Sequence, residues 1–105
     1  MSGQRIYQLL GLAASARKVT TGEELVIKEV RGGNAKLVIV SQDASANTAK
    51  KLRDKCGSYK VGLQEFGSRA ELGHAIGKDE RVVIAVTDSG FAKKLTSLFD
   101  EINKG

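Results

Sequence analysis

Leu37-Val38-Ile39-Val40 is an unbroken apolar run of strand length, and Val82-Val83-Ile84-Ala85-Val86 repeats the pattern further along the chain. Alternation is missing from both, so both read as strands covered on two faces, which requires a layer of helices on each side of a sheet. Outward from the first run the hydrophobic period switches back and forth between strand and helix. Upstream, Ile6, Leu9, Leu10 and Ala13 form one helical face, Arg17 to Thr20 reads as a short extended piece, and Leu25, Val26, Ile27 and Val30 belong to a second helix. Gly32-Gly33 ends that helix by permitting left-handed backbone. Downstream, Asp43 or Ser45 caps a helix with an apolar face of Ala46, Ala49, Leu52 and Cys56, ending at Gly57. Val61 to Phe66 alternates weakly as a further strand, Ser68 caps a short helix through Ala75, and Asp88 caps a last helix with Phe91, Leu95, Leu98 and Ile102 inward. Alternating elements of this kind predict an α/β fold, a three-layer α/β/α sandwich.

The chain has 105 residues and no proline, and no Ser/Gly-rich or repeated segment supplies a linker, so residues 1–105 are expected to form a single domain. Charge is distributed unevenly. Residues 1–60 hold 11 basic and 5 acidic side chains, a balance of +6, whereas residues 61–105 hold 6 and 7, a balance of −1. A basic half points toward polyanions, and toward nucleic acid rather than membrane, because no basic helix carries large apolar residues. Cys56 is the single cysteine and cannot form an internal disulfide, which suggests a reducing, cytoplasmic setting. The start of the chain, from Met1 to Leu10, is too short and too polar for a signal segment, so a mature soluble protein is expected.

Signals for enzymatic chemistry fail individually. His74 and Cys56 are each the only residue of their type, with no third group to orient a Cys/His pair and too few ligands for a metal site. Cys56 falls on an apolar helix face, where it serves as a small hydrophobe. The stretch from Gly73 to Asp79 has two glycines and a lysine, but the glycine spacing is a residue short of a phosphate loop and Asp79 stands where a hydroxyl should reach magnesium. It reads as a helix end with Gly77 as the left-handed stop. No cofactor, metal or small-molecule substrate is expected.

Thr21-Gly22-Glu23-Glu24-Leu25-Val26-Ile27-Lys28 is the unusual segment. Two carboxylates at a helix start repel the anions that free helix amides would attract. Thr21 and Glu24 have the spacing of a capping box. The same carboxylates could accept hydrogen bonds from base amino and imino groups while Lys28 holds a guanine acceptor or a phosphate. A carboxylate has two oxygens, so the two roles are compatible. Phe66-Gly67-Ser68-Arg69 adds an apolar surface, open backbone and a guanidinium after a strand, and Lys50, Lys51, Arg53 and Lys55 form a basic row on a helix.

Gly22-Glu23-Glu24 with Lys28, followed by Ala35 to Val40, Asp43-Ala44-Ser45, Cys56, Ser68-Arg69 and Glu71-Leu72-Gly73, resembles the superfamily of kink-turn-binding ribosomal proteins that includes archaeal L7Ae and eukaryotic L30e. With Gly11 to Lys18 and Gly90 to Leu95, the pattern is most similar to its small bacterial YlxQ-like branch. The resemblance implies a mixed four-stranded sheet inside the α/β/α sandwich. It also implies a non-enzymatic protein that binds structured RNA, ribosomal or riboswitch-like, at a sharp bend with tandem G·A pairs, with the ribosome as a possible partner. The RNA-binding residues carried over are Gly22, Glu23, Glu24 and Lys28 on one jaw and Gly67, Ser68 and Arg69 on the other, with Asp43 orienting the lysine from behind. The family has asparagine at the position of Glu24 and glutamate at that of Leu25. An alternative is therefore an interaction adaptor, on or off the ribosome, that keeps the fold without kink-turn specificity.

Overall fold

The structure, a computed structural model, describes residues 2–104; Met1 and Gly105, the ends of the expected domain, lie outside the described residues. In chain order the elements are α1 (Ser2–Ser15), β1 (Val19–Thr21), α2 (Glu23–Arg31), β2 (Leu37–Val40), α3 (Ala46–Ser58), β3 (Gly62–Glu65), α4 (Arg69–Ala75), β4 (Val83–Val86) and α5 (Ser89–Lys104). The strands form one sheet in the order β1-β4-β2-β3, with β1 and β2 antiparallel to β4 and β3 parallel to β2. This is the mixed four-stranded sheet of an α/β/α sandwich.

Strand alternation sorts the core into two layers. Leu37, Ile39, Ile84 and Val86 face α1, α4 and α5, where Ile6, Leu10, Leu72, Leu95 and Phe99 are buried. Val38, Val40, Val83 and Ala85 face α2 and α3, meeting Val26, Ile27, Val30, Leu52 and Cys56. All four residues of β2 and all four of β4 are buried, as two-sided coverage requires. β3, on the outer edge, is only half-buried.

Three local details depart from the sequence reading. Ile102 is 37 % exposed, and Phe99 is the buried residue one turn earlier, because the inner face of α5 outlasts the sheet beneath it. Ala46 is exposed at the first position of α3, whose cap is Ser45, its Oγ accepting from the Thr48 amide at 3.2 Å. α3 also runs past Gly57 to Ser58, and the left-handed stop there is Lys60 at φ 57°. The other expected stops are found: Gly33 has φ 77° and Gly77 has φ 72°.

Register fixes where function can sit. Thr21 pairs with Ile84, Val40 with Val83 and Glu65 with Val40, so β1, β2 and β3 all end on the edge where β4 begins. α2, α3 and α4 therefore start from one rim of the sheet. The outer strands, β1 and β3, are three strand spacings apart, about 14 Å.

Candidate nucleic-acid interface

On this rim the α2 start follows β1 and the 66–69 loop follows β3. Between them lie the loop from Ser41 to Ser45 and the lead into β4. Backbone hydrogen bonds lock these segments together: Ser41 N to Val82 O at 2.8 Å, Gln42 N to Gly67 O at 2.7 Å, Phe66 N to Val40 O at 2.9 Å and Arg81 N to Arg69 O at 3.0 Å. The 66–69 loop, the 41–45 loop and the lead into β4 are thus tied to one another, while the start of α2 is placed by the pairing of β1 with β4.

The α2 jaw is not built on a capping box. Thr21 stays in β1, Gly22 takes the N-cap with φ 94°, and no side chain caps the helix. The first intrahelical bond runs from Val26 N to Gly22 O at 2.9 Å, so the amides of Glu23, Glu24 and Leu25 precede the helical ladder and stay open. A Cβ on Gly22 would meet nothing within 4 Å, which leaves the backbone open to close approach.

Glu23 is drawn aside. Its carboxylate accepts from Thr48 Oγ1 at 3.0 Å and from Lys51 Nζ at 3.1 Å, which fastens α2 to α3. These partners, Lys51 before Thr48, hold the carboxyl below its ordinary value. One of the two negative charges at the helix start is thereby neutralised within the protein, and the anion-repelling character inferred from sequence is weakened. Glu24 and Lys28 remain exposed, and among the described residues neither forms an ion pair. Leu25, beside them, is 58 % exposed.

The second jaw is anchored from below. Phe66 is core rather than a stacking platform: its ring packs on Tyr7 at 5.1 Å and edge-on to Phe99 at 5.3 Å. Gly67, at φ 66°, sits so close to the Tyr7 hydroxyl that no Cβ fits. Tyr7 itself is pushed up to about 12 by burial, with Glu71 adding to the shift. Ser68 and Glu71 form the reciprocal capping box that Thr21 and Glu24 do not, with Glu71 N to Ser68 Oγ at 3.1 Å and Ser68 N to Glu71 Oε1 at 2.9 Å.

Asp43 does not orient Lys28. Its carboxylate accepts from Arg69 N at 3.0 Å, and its carbonyl accepts from the Arg69 guanidinium at 2.6 Å, so Asp43 braces the second jaw. The Asp43 carboxyl lies below the usual carboxylate range, first through the Ser41 hydroxyl and then through Arg69. Ser41 Oγ is buried and reaches no partner at full hydrogen-bond geometry, so its influence is that of a nearby dipole rather than of a made bond.

The basic row of α3 is largely consumed internally. Lys50 pairs with Asp54 at 3.0 Å, Lys51 with Glu23 at 3.1 Å and Arg53 with Glu65 at 3.5 Å. Sequence periodicity placed these residues on one face but had no means of showing their carboxylate partners, which come from other elements in two of the three pairs. Arg81 and Val82 were not placed at this rim by the sequence, which had Val82 inside the strand that begins at Val83. They line a small depression of ≈ 320 Å³ with Gly22, Glu23 and Thr48, and only the register of β4 brings them there.

Cys56 and His74 are on opposite sides of the sheet, Cys56 buried between α3 and the strands and His74 exposed on α4. Burial pushes the Cys56 thiol up to about 11, an unreactive thiol. Among the described residues no group of His, Cys, Asp or Glu could hold a metal, and no helix is long and apolar enough to cross a membrane.

A rim with open helix amides and exposed charges offers a surface for a binding partner. Residues 4–96 match the Ribosomal protein L7Ae/L30e/S12e/Gadd45 family, and the chain belongs to that family. It is 61 % identical over 100 residues to the RNA-binding protein YlxQ of Bacillus subtilis, covering 95 % of this chain and all of that protein. The Enterococcus faecium RNA-binding protein YlxQ is 46 % identical, covering 92 % of this chain and 93 % of the relative. Among solved structures, a Bacillus halodurans protein of unknown function superimposes with TM-score 0.90 at 55 % identity, covering 91 % of this chain and 97 % of that one. The Giardia lamblia 15.5kD RNA binding protein shares the fold, with TM-score 0.84 at 21 % identity over 98 % of this chain and 88 % of its own. The resemblance read from sequence and the α/β/α fold it implied are both met.

Proposed function

We propose that the protein is a non-enzymatic binder of structured RNA that recognises kink-turn bends with tandem G·A pairs, in ribosomal or riboswitch-like RNA. Membership of the family and two relatives named as RNA-binding proteins support the RNA reading. The observation that carries the finer reading is that Gly22 to Lys28 and Gly67 to Arg69 follow the two outer strands, β1 and β3, onto the same rim of the sheet. Gly22 admits close approach of the RNA backbone, Lys28 takes a guanine acceptor or a phosphate, and Glu24 accepts from base amino groups. Glu23 holds the helix in position through Lys51 and Thr48. Gly67 and Ser68 present the opposite wall, with Arg69 set by Asp43.

Glu24 stands where the family has asparagine, and it is an acceptor only. The donor that asparagine would supply is available instead from the open amides of Glu23 and Glu24, which is why the pattern can depart without losing its chemistry. The test is Lys28→Ala titrated against a kinked and a straight duplex of equal length. Binding to the kinked RNA is expected to weaken by about 1 to 3 kcal/mol with little change on the straight one. Equal loss on both would show Lys28 to be a nonspecific phosphate contact and would favour the adaptor reading.

A further inference from the structure

A cleft of ≈ 1040 Å³ opens between α1, β1 and the end of α4. Arg17, His74 and Lys78 line it together with Gln8, Ser15 and Thr21, and no lining residue carries a carboxylate. In this it differs from the α3 row, where Lys50, Lys51 and Arg53 are each paired with a carboxylate. Among the described residues neither Arg17 nor Lys78 forms an ion pair. Thr21, the residue before Gly22, is among those that line it.

Arg17 supplies a second, independent observation. α1 ends in a left-handed turn, Arg17 N bonding Ala14 O and Lys18 N bonding Ala13 O, both at 2.9 Å, with Arg17 itself at φ 60°. That position favours glycine, and Gly33 and Gly77 hold the corresponding stops of α2 and α4. Arg17, which lines the cleft, thus holds a conformation that glycine would adopt at lower cost. Lys60 has the same left-handed conformation at the end of α3, φ 57°, but it lines a different pocket, with Arg31 and Lys36.

We propose that this cleft is a second RNA contact, one that holds the phosphodiester backbone as it leaves the α2 jaw, independent of base sequence. The three residues of β1 extend about 10 Å, a length along which one strand of the RNA can pass. Arg17, His74, Lys78 and the Gln8 amide give the cleft its nitrogen-bearing side chains. The proposal rests on the RNA-binding reading above.

The experiment measures RNA affinity of the full chain against salt, on a kink-turn duplex and on a straight duplex of equal length, for wild type, Arg17→Gly, Lys78→Gln and Lys60→Gly. Loss of one phosphate contact lowers the slope of log K against log salt by about 0.7 to 0.9. Arg17→Gly and Lys78→Gln are expected to lower it by that amount on both RNAs, with affinity several-fold weaker at low salt. Arg17→Gly should at the same time raise the thermal midpoint by a few degrees, since glycine relieves the left-handed turn. Lys60→Gly should raise the midpoint similarly and leave RNA binding unchanged. Unchanged slopes for Arg17→Gly and Lys78→Gln, or an equal loss from Lys60→Gly, overturn the proposal. Equal wild-type affinity for the two duplexes, with the slope still reduced in the cleft variants, overturns the kink-turn reading and upholds the cleft. Absence of any RNA binding overturns both.

Discussion

Replacing Gly67 by alanine perturbs the second jaw from within. Gly67 has φ 66°, where an L-residue with a Cβ is strained by about 1 to 2 kcal/mol. The added Cβ also runs into the Tyr7 hydroxyl and ring edge, a contact that the tilted packing of Tyr7 on Phe66 cannot yield without moving Phe99 behind it. Overpacking of this sort costs about 1 to 3 kcal/mol. Less a few tenths gained by restricting the unfolded chain, Gly67→Ala should destabilise by about 2 to 4 kcal/mol. That is a large share of the roughly 5 to 15 kcal/mol of a domain this size. Gly33→Ala is the control, since it has φ 77° but would meet nothing within 4 Å, and it should cost only the backbone part, about 1 kcal/mol. Urea unfolding of both variants gives the comparison. Adding Tyr7→Phe removes the oxygen nearest the new methyl group and should recover about 1 kcal/mol in Gly67→Ala while giving no such gain in wild type, a coupling that a double-mutant cycle measures. Equal losses at Gly67 and Gly33, or strict additivity with Tyr7→Phe, would refute the claim that Tyr7 seats the jaw.

Two further outcomes follow from the same geometry. The Glu23 carboxyl sits below its ordinary value of 4.5, so the bond to Lys51 and Thr48 adds stability above that value and is lost as pH falls through the lower folded one. Acid titration of Glu23→Gln should therefore show a shallower stability loss below about pH 4.5 than wild type; identical acid limbs would show that the pairing does not fasten α2 to α3. Gly73→Ala places a methyl group into the backbone of Asp79 and should cost about 3 kcal/mol or more, whereas Gly57→Ala, exposed on α3 with nothing near, should stabilise by about 0.5 to 1 kcal/mol in the same denaturation assay.

Layering was legible because it is written in period. Leu37 to Val40 and Val83 to Val86 have no polar face, and no arrangement but two-sided coverage suits them. The helix stops at Gly33 and Gly77 were legible for the same local reason. What escaped was decided by contacts between distant elements. Thr21 has the spacing of a cap, but pairing with Ile84 keeps it in β1, and Gly22 takes its place. Asp43 was assigned to Lys28 by resemblance, yet the meeting of the β2 and β3 ends delivers it to Arg69 instead. Lys51 looked like a free cation until Glu23, 28 residues away, claimed it. Side chains at the rim are set by which strands end together, and period alone carries no record of that.

A rim that binds a bent RNA through its G·A pairs, as proposed above, must distinguish RNAs that have those pairs from RNAs that lack them. Titration of the wild-type protein, at physiological salt, against a kink-turn and against the same RNA with its tandem G·A pairs replaced by Watson–Crick pairs tests it most directly. Clearly tighter binding to the kink-turn is expected, by at least about tenfold, or 1.4 kcal/mol. Indistinguishable affinities for the two RNAs would contradict it.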